Sequence, residues 1–222
     1  MNHERPRGSR PGAAVSRGVL GAGYLGVMVS RVLVACEFSG VVRDAFLARG
    51  HDAWSCDLLP SERPGPHLIG NAALHCRNGW DLMIAHPPCT YLANSGVRWL
   101  IVDGVMIYER ACDLHRAIDF FNALASAPIE RIALENPIPH KYAKQGIGQY
   151  SQIIHPWQHG HGETKSTCLW LKNLPKLVPT NIVSGRVARV HREPPSADRW
   201  KARSRTLQGI ADAMADQWGS LT

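Results

Sequence analysis

No apolar run in this chain of 222 residues reaches the ~18 residues needed to cross a bilayer, and none of its six cysteines forms a C-x-x-C pair. The first absence points to a protein that does not span a membrane. The second excludes a zinc ribbon and a redox dithiol. Cys36, Cys56, Cys76, Cys89, Cys112 and Cys168 are instead scattered singly, and no secretory signal opens the chain. A chain of this length buries enough surface to fold without disulfide staples, so the thiols read as reduced and the compartment as cytoplasmic. Internal repeats are also missing, which excludes solenoids and propellers. Negative charge is in short supply: 25 Lys and Arg face 18 Asp and Glu, a formal net charge of +7. That balance favours a polyanionic partner such as nucleic acid.

The positive excess gathers in two places. Residues 1–30 are rich in Gly, Arg, Ser and Pro, hold no sustained periodicity and read as a disordered extension; Met28 is an alternative start. Gly21-Ala22-Gly23-Tyr24-Leu25-Gly26 spells a dinucleotide fingerprint, but no strand precedes it and no helix follows, so it is set aside. The second gathering, Arg186, Arg189, Arg192, Arg199, Lys201, Arg203 and Arg205, is a candidate for phosphate contact.

From Arg31 onward the pattern is regular. Val32–Cys36, Asp52–Cys56, Leu82–Ala85 and Ile132–Leu134 read as buried strands, with helices over Val41–Arg49 and Ile107–Ala125. Gly50 closes the first helix. Thr167–Leu171 is a further strand, and Arg205–Trp218 a final helix with Leu207, Ile210, Met214 and Trp218 on one face. Strands alternating with helices predict an α/β fold, a doubly wound, mostly parallel sheet. Its ligands belong at the carboxyl ends of the strands.

Two strand ends carry chemistry. His86-Pro87-Pro88-Cys89 sets a thiol on a turn fixed by two prolines, where backbone amides are expected to lower its pKa. Glu135-Asn136-Pro137 ends another apolar strand, where desolvation is expected to raise the carboxyl pKa and make it an acid near neutrality. A third end, Glu37-Phe38-Ser39-Gly40, offers close backbone approach at Gly40 and the amides of the helix from Val41. Asp57, closing the second strand, is placed to accept hydrogen bonds from ribose hydroxyls. Cys36, Cys56 and Cys168 read as core residues. His155, His159, His161 and Glu163 form a loose metal-ligand pattern without a regular scaffold, and no metal site is expected there.

On these residues the chain, over about 31–219, resembles the DNA (cytosine-5) methyltransferase family, and its small phage and prophage members most. Pro88-Cys89 matches the family's Pro-Cys motif, and Glu135-Asn136-Pro137 its Glu-Asn motif. Phe38-Ser39-Gly40 matches part of its opening glycine loop, with Val42 at the second glycine. Asp57 corresponds to its ribose acid and Asn71, after Gly70, to its adenine-contacting acid. Lys165 stands where an arginine block precedes the late strand. The resemblance implies a Rossmann-like class I S-adenosylmethionine-dependent methyltransferase.

In that reading the cofactor is held by Phe38, Ser39, Gly40, Asp57, Asn71 and Pro88, and catalysis is carried by Cys89, Glu135, Asn136 and Lys165. Arg186, Arg189, Arg192, Lys201, Arg203 and Arg205 would meet DNA, either a duplex with a flipped base or a single strand. The family's large recognition region shrinks here to residues 172–206. This implies low sequence specificity, an unpaired or modified substrate, or a protein partner that does the reading. Two other readings stay open: an amino-methyltransferase acting on adenine N6 or cytosine N4, and a degenerate methyltransferase fold that only binds nucleic acid.

Overall fold

The computed structural model describes residues 29–221; the N-terminal extension, its glycine fingerprint and Met28 lie outside the described residues. In chain order the elements are β1 (Arg31–Ala35), α1 (Val41–Leu47), β2 (Asp52–Asp57), β3 (His67–Ile69), α2 (Ala72–His75), β4 (Leu82–Ala85), a 3-10 turn (Asn94–Trp99), a small hairpin of β5 (Ile101–Val102) and β6 (Val105–Met106), and α3 (Tyr108–Ala125). There follow β7 (Arg131–Asn136), α4 (Lys141–Ile147), β8 (Gln152–Ile154), a 3-10 turn (Pro156–Gln158), β9 (Thr167–Lys172), α5 (Arg189–Arg192), α6 (Arg199–Ser204) and α7 (Gln208–Trp218).

Seven strands form one sheet in the order β3-β2-β1-β4-β7-β9-β8. The first five are parallel, and β9 runs antiparallel to both β7 and β8. The chain winds outward from β1 through β2 to β3 and then returns to β4 on the other side of β1. That reversal opens a crevice beyond the carboxyl ends of β1 and β4. This is the α/β doubly wound, Rossmann-like sheet that the strand and helix alternation predicts.

Both faces are covered, which is why the central strands are continuously apolar rather than alternating. Leu33, Ala35, Met83, Ala85, Ile132 and Leu134 point to one side and pack with Leu114, Phe121 and Leu124 of α3. Val32, Val34, Leu82, Ile84 and Ala133 point to the other and pack with Val42 and Phe46 of α1 and Met214 and Trp218 of α7. Burying Trp218 and Phe46 completely stabilises that layer by roughly 2–3 kcal/mol each, and Trp218 also donates its indole N–H to the Pro175 carbonyl at 3.1 Å. Gly50 holds φ 82°, the left-handed backbone that ends α1.

α7 starts three residues later than its apolar periodicity predicts. The Arg205 backbone is extended at φ −61° and ψ 135°, and the carbonyls of Arg203 and Arg205 both accept from the Lys165 ammonium. The ammonium thus takes carbonyls that an unbroken helix would have used itself.

Candidate active site

Sheet register explains how side chains 49 residues apart meet. Ala35 pairs with Ala85, and Ala85 with Leu134. One step further along the three strands come Cys36, His86 and Glu135, with the His86 amide still donating to the Ala35 carbonyl at 2.9 Å. His86 Nδ1 lies 2.6 Å from Glu135 Oε2, and both side chains are nearly buried, with 11% and 12% exposure.

Asn136 completes the link between the two strand ends. Fully buried, it donates its Nδ2 to the Pro87 carbonyl at 2.7 Å and so ties the end of β7 to the double-proline turn. Beyond the prolines, the Cys89 carbonyl accepts from the amides of Leu92 and Ala93 at 3.1 and 2.9 Å. The loop then laces to the chain after β7: Asn94 N donates to Ile138 O, His140 N to Leu92 O, and His140 Nε2 lies 2.8 Å from Tyr91 O. Gly96 is required here, because a Cβ would stand 2.4 Å from the Thr90 carbonyl.

These anchors hold an exposed Cys89 over a pocket lined by His86, Pro88, Glu135, Asn136 and Lys165, with Phe38 and Ser39 on one side and residues 203–206 on another. The sequence-predicted Cys89, Glu135, Asn136, Lys165, Pro88, Phe38 and Ser39 therefore share one cavity. Gly40, Asp57 and Asn71 do not line it.

The electrostatics correct two expectations. Burial alone pushes the Glu135 carboxyl up, as the sequence suggests, but the His86 hydrogen bond and charge, helped by Lys165, outweigh it and hold the acid below its ordinary range, at about 2. For His86 the reverse applies: burial pushes it down, yet the carboxylate partner wins and raises it. The Cys89 thiol is raised rather than lowered. Desolvation is the main cause and the Glu135 charge the second, with Lys165 and Arg203 pulling the other way.

The turn after β1 also differs from expectation. The Glu37 carboxylate turns back to accept from Val42 N at 2.7 Å, Arg43 N at 3.2 Å and Ser39 Oγ at 3.1 Å. The first amides of α1 are thus capped from within rather than offered to a ligand. Gly40 is required within the fold itself: at φ 72° its missing Cβ leaves room for the fully buried Arg43 guanidinium, 2.6 Å from where that Cβ would lie. Cys36, read as a core residue, sits one position past β1 with a left-handed φ of 59° and lines the pocket. Burial and Asp57 push its thiol far above the ordinary range.

Asp57, at the end of β2, accepts from Leu59 N through Oδ1 at 3.0 Å. Its second oxygen has no partner among the described residues, and the exposed apolar side chains of Leu58 and Ile69 lie beside it in sequence and in register. That donor set fits a ribose with a flat base next to it. Asn71 is exposed and spends its Oδ1 capping α2 through Ala73 N at 3.1 Å, since a four-residue helix has few other ways to satisfy its first amides.

The basic segment folds onto the protein. Arg205 forks onto Glu62 at 2.8 and 2.6 Å, Arg189 pairs with Glu163, Lys201 pairs with Asp198 at 3.1 Å, and Arg186 lies over the Trp157 ring at 4.2 Å. Arg203 lines the pocket and Arg192 is exposed. Trp200, on α6, packs its ring on Phe38 at 5.6 Å.

The histidine-rich stretch is engaged residue by residue: His155 with Ser166, His159 with Thr180, and His161 with the Gly209 amide. His86 and His140 are the site residues that motif reasoning passed over. For His86 the available signal was its place one residue past an apolar strand, level with Glu135.

A scan of protein-family models and a search of curated proteins returned no match to this chain. Among solved structures, it is similar to a prophage-encoded Escherichia coli protein assigned provisionally as a DNA modification methyltransferase, with a TM-score of 0.41 and 15% identity over 74% of this chain. The chain spans about half the length of that structure, 55%.

Proposed function

We propose that this chain is an S-adenosylmethionine-dependent methyltransferase that modifies C5 of cytosine in DNA. The observation that carries the reading is the shared pocket: an exposed Cys89 thiol and a nearly buried Glu135 carboxylate, joined through Asn136, above the crevice of a doubly wound sheet. Cytosine C5 is a poor nucleophile until a group adds at C6. Cys89 as thiolate forms that bond, and Glu135 presents a proton to N3, so that the electron pair of the C5–C6 double bond becomes available at C5.

S-adenosylmethionine, when bound, supplies an electrophilic methyl group on a sulfonium. Asp57 would hold its ribose hydroxyls, Leu58 and Ile69 would flank its base, and Phe38, Ser39 and Pro88 would border the reacting end. Lys165 contributes positive charge to the pocket where the pyrimidine would bind, and fixes residues 203–206 through their carbonyls. A stacked base cannot reach such a pocket, so the target nucleotide is flipped out or already unpaired.

Residues 172–206 form the nucleic-acid face, where Arg192, Arg203 and Trp200 supply phosphate and stacking contacts. Arg186, Arg189, Lys201 and Arg205 join them by exchanging internal partners for phosphate. With so short a segment the enzyme reads little sequence by itself, or relies on a protein partner.

A cysteine beside the target ring is the wrong tool for an exocyclic amine, which disfavours transfer to adenine N6 or cytosine N4. A second reading, a nucleic-acid-binding module without catalysis, draws on the amides of α1 and the Asn71 side chain already being spent on helix capping. Incubation with labelled S-adenosylmethionine and DNA, followed by nucleoside mass spectrometry, tests the proposal. It requires 5-methylcytosine. A methyl on an exocyclic nitrogen would refute the assignment of the target atom, and calorimetry without cofactor binding would favour the second reading.

A further inference from the structure

His86 sits at the pocket with one ring nitrogen on Glu135 and the other, Nε2, buried without a hydrogen-bond partner among the described residues. An unmade buried hydrogen bond costs about 1–3 kcal/mol, and while His159 Nε2 is unpartnered too, His86 is the one of the two that lines the pocket and bonds Glu135. Its surroundings are consistent in sign. Glu135 from β7 and Glu37 from the turn after β1 favour the imidazolium, and Lys165, before β9, opposes it.

We propose that His86 is a positioning residue that stores the proton Glu135 delivers to the pyrimidine. The inference rests on the cytosine-5 reading above. In the resting pair the proton lies on His86 Nδ1 and Glu135 is a carboxylate. When a neutral ring displaces water from the pocket, the Nδ1 proton moves to Glu135 Oε2, leaving a neutral imidazole and a neutral carboxyl. The exposed Cys89, having passed its proton to bulk water before the ring entered, bonds through its Sγ to C6. As the C5–C6 π bond breaks, N3 takes the Glu135 proton, and the carboxylate returns. One proton has passed from His86 to N3 and one from Cys89 to water, so charge and atoms balance.

The test compares the pH profiles of single-turnover methyl transfer for the wild type and for His86→Gln and His86→Asn, with covalent trapping on 5-fluorocytosine DNA as a second readout. Without a stored proton, transfer depends on solvent for protons. The variants should stay within about threefold of wild type near pH 6 and fall at least about tenfold below it near pH 8.5, with trapping slowed in parallel. Circular dichroism and thermal melting establish that the variants are folded, and Asn and Gln place an amide near Nδ1 and Nε2 respectively, so one of them preserves packing. Profiles parallel to wild type in folded variants would overturn the role of His86 while leaving the methyltransferase reading intact. Absence of both methylcytosine and adduct in the wild type would overturn both.

Discussion

The turn after β1 and the paired turns after β4 and β7 end neighbouring strands of the same sheet, yet they are finished differently. In the first, the buried Glu37 is saturated by two backbone amides and the Ser39 hydroxyl. In the second, the nearly buried Glu135 meets the His86 imidazole and the Thr167 side chain; among the described residues His86 Nε2 and Asn136 Oδ1 lack partners, and Cys89 is exposed. Glu37 borders the same pocket but, like most buried polar groups, has its hydrogen bonds made within the fold. Unpartnered buried atoms also lie elsewhere, as at His159 Nε2, but at the pocket they stand beside perturbed titratable groups, the combination that marks a candidate functional site.

The sharpest way to break this comparison is Cys89→Ser, which should lower methyl transfer by about 10⁴-fold or more while leaving the melting temperature and S-adenosylmethionine binding unchanged; single-turnover assays and calorimetry read both. Glu135→Gln should cost about 10²–10⁴-fold in transfer, with C6 adduct formation slowed to the same degree. Glu37→Ala should do the opposite. It strips the cap from α1 and should cost about 2–3 kcal/mol of stability, measured by urea unfolding, with activity per folded molecule falling far less than in the Glu135 variant. Arg205→Ala, which removes a half-exposed pair with Glu62, should change stability by only about 0–1 kcal/mol.

The pH dependence of stability sharpens the contrast further. Glu135 is depressed in the fold, so its contribution is present above its unfolded value near ~4.3 and is lost as pH falls toward about 2. His86 is raised, so its side of the same interaction is fully present below ~6.5 and fades as pH rises through the folded value. The stability difference between wild type and Glu135→Gln should therefore peak between about pH 4.3 and 6.5.

Much of the frame was legible because burial on both faces writes itself as uninterrupted apolar runs: β1, β4 and β7 fall within a residue or two of where their hydrophobic stretches predict, and α3 within one. What periodicity missed are short elements stabilised by distant partners. α4 depends on the His140 side chain accepting from Ala143 N at 3.1 Å, and α6 on the seating of Trp200 against Phe38. In the pocket, residue types were readable but their charge states were not. Cys89 and Glu135 could be picked from their positions after strands. The sign of the Glu135 shift depends on His86 and Lys165, and that of Cys89 on burial and the Glu135 charge, surroundings that only the sheet register and the fold of the late loop create.

The most direct test of the central claim is whether Cys89 bonds to a cytosine. DNA carrying 5-fluorocytosine, incubated with the protein and S-adenosylmethionine, should yield a covalent complex that survives denaturing electrophoresis and maps by peptide mass spectrometry to Cys89, because the fluorine cannot be removed as the C5 proton is. Efficient methylation of ordinary DNA with no such complex, or a complex mapping to another residue, would contradict it.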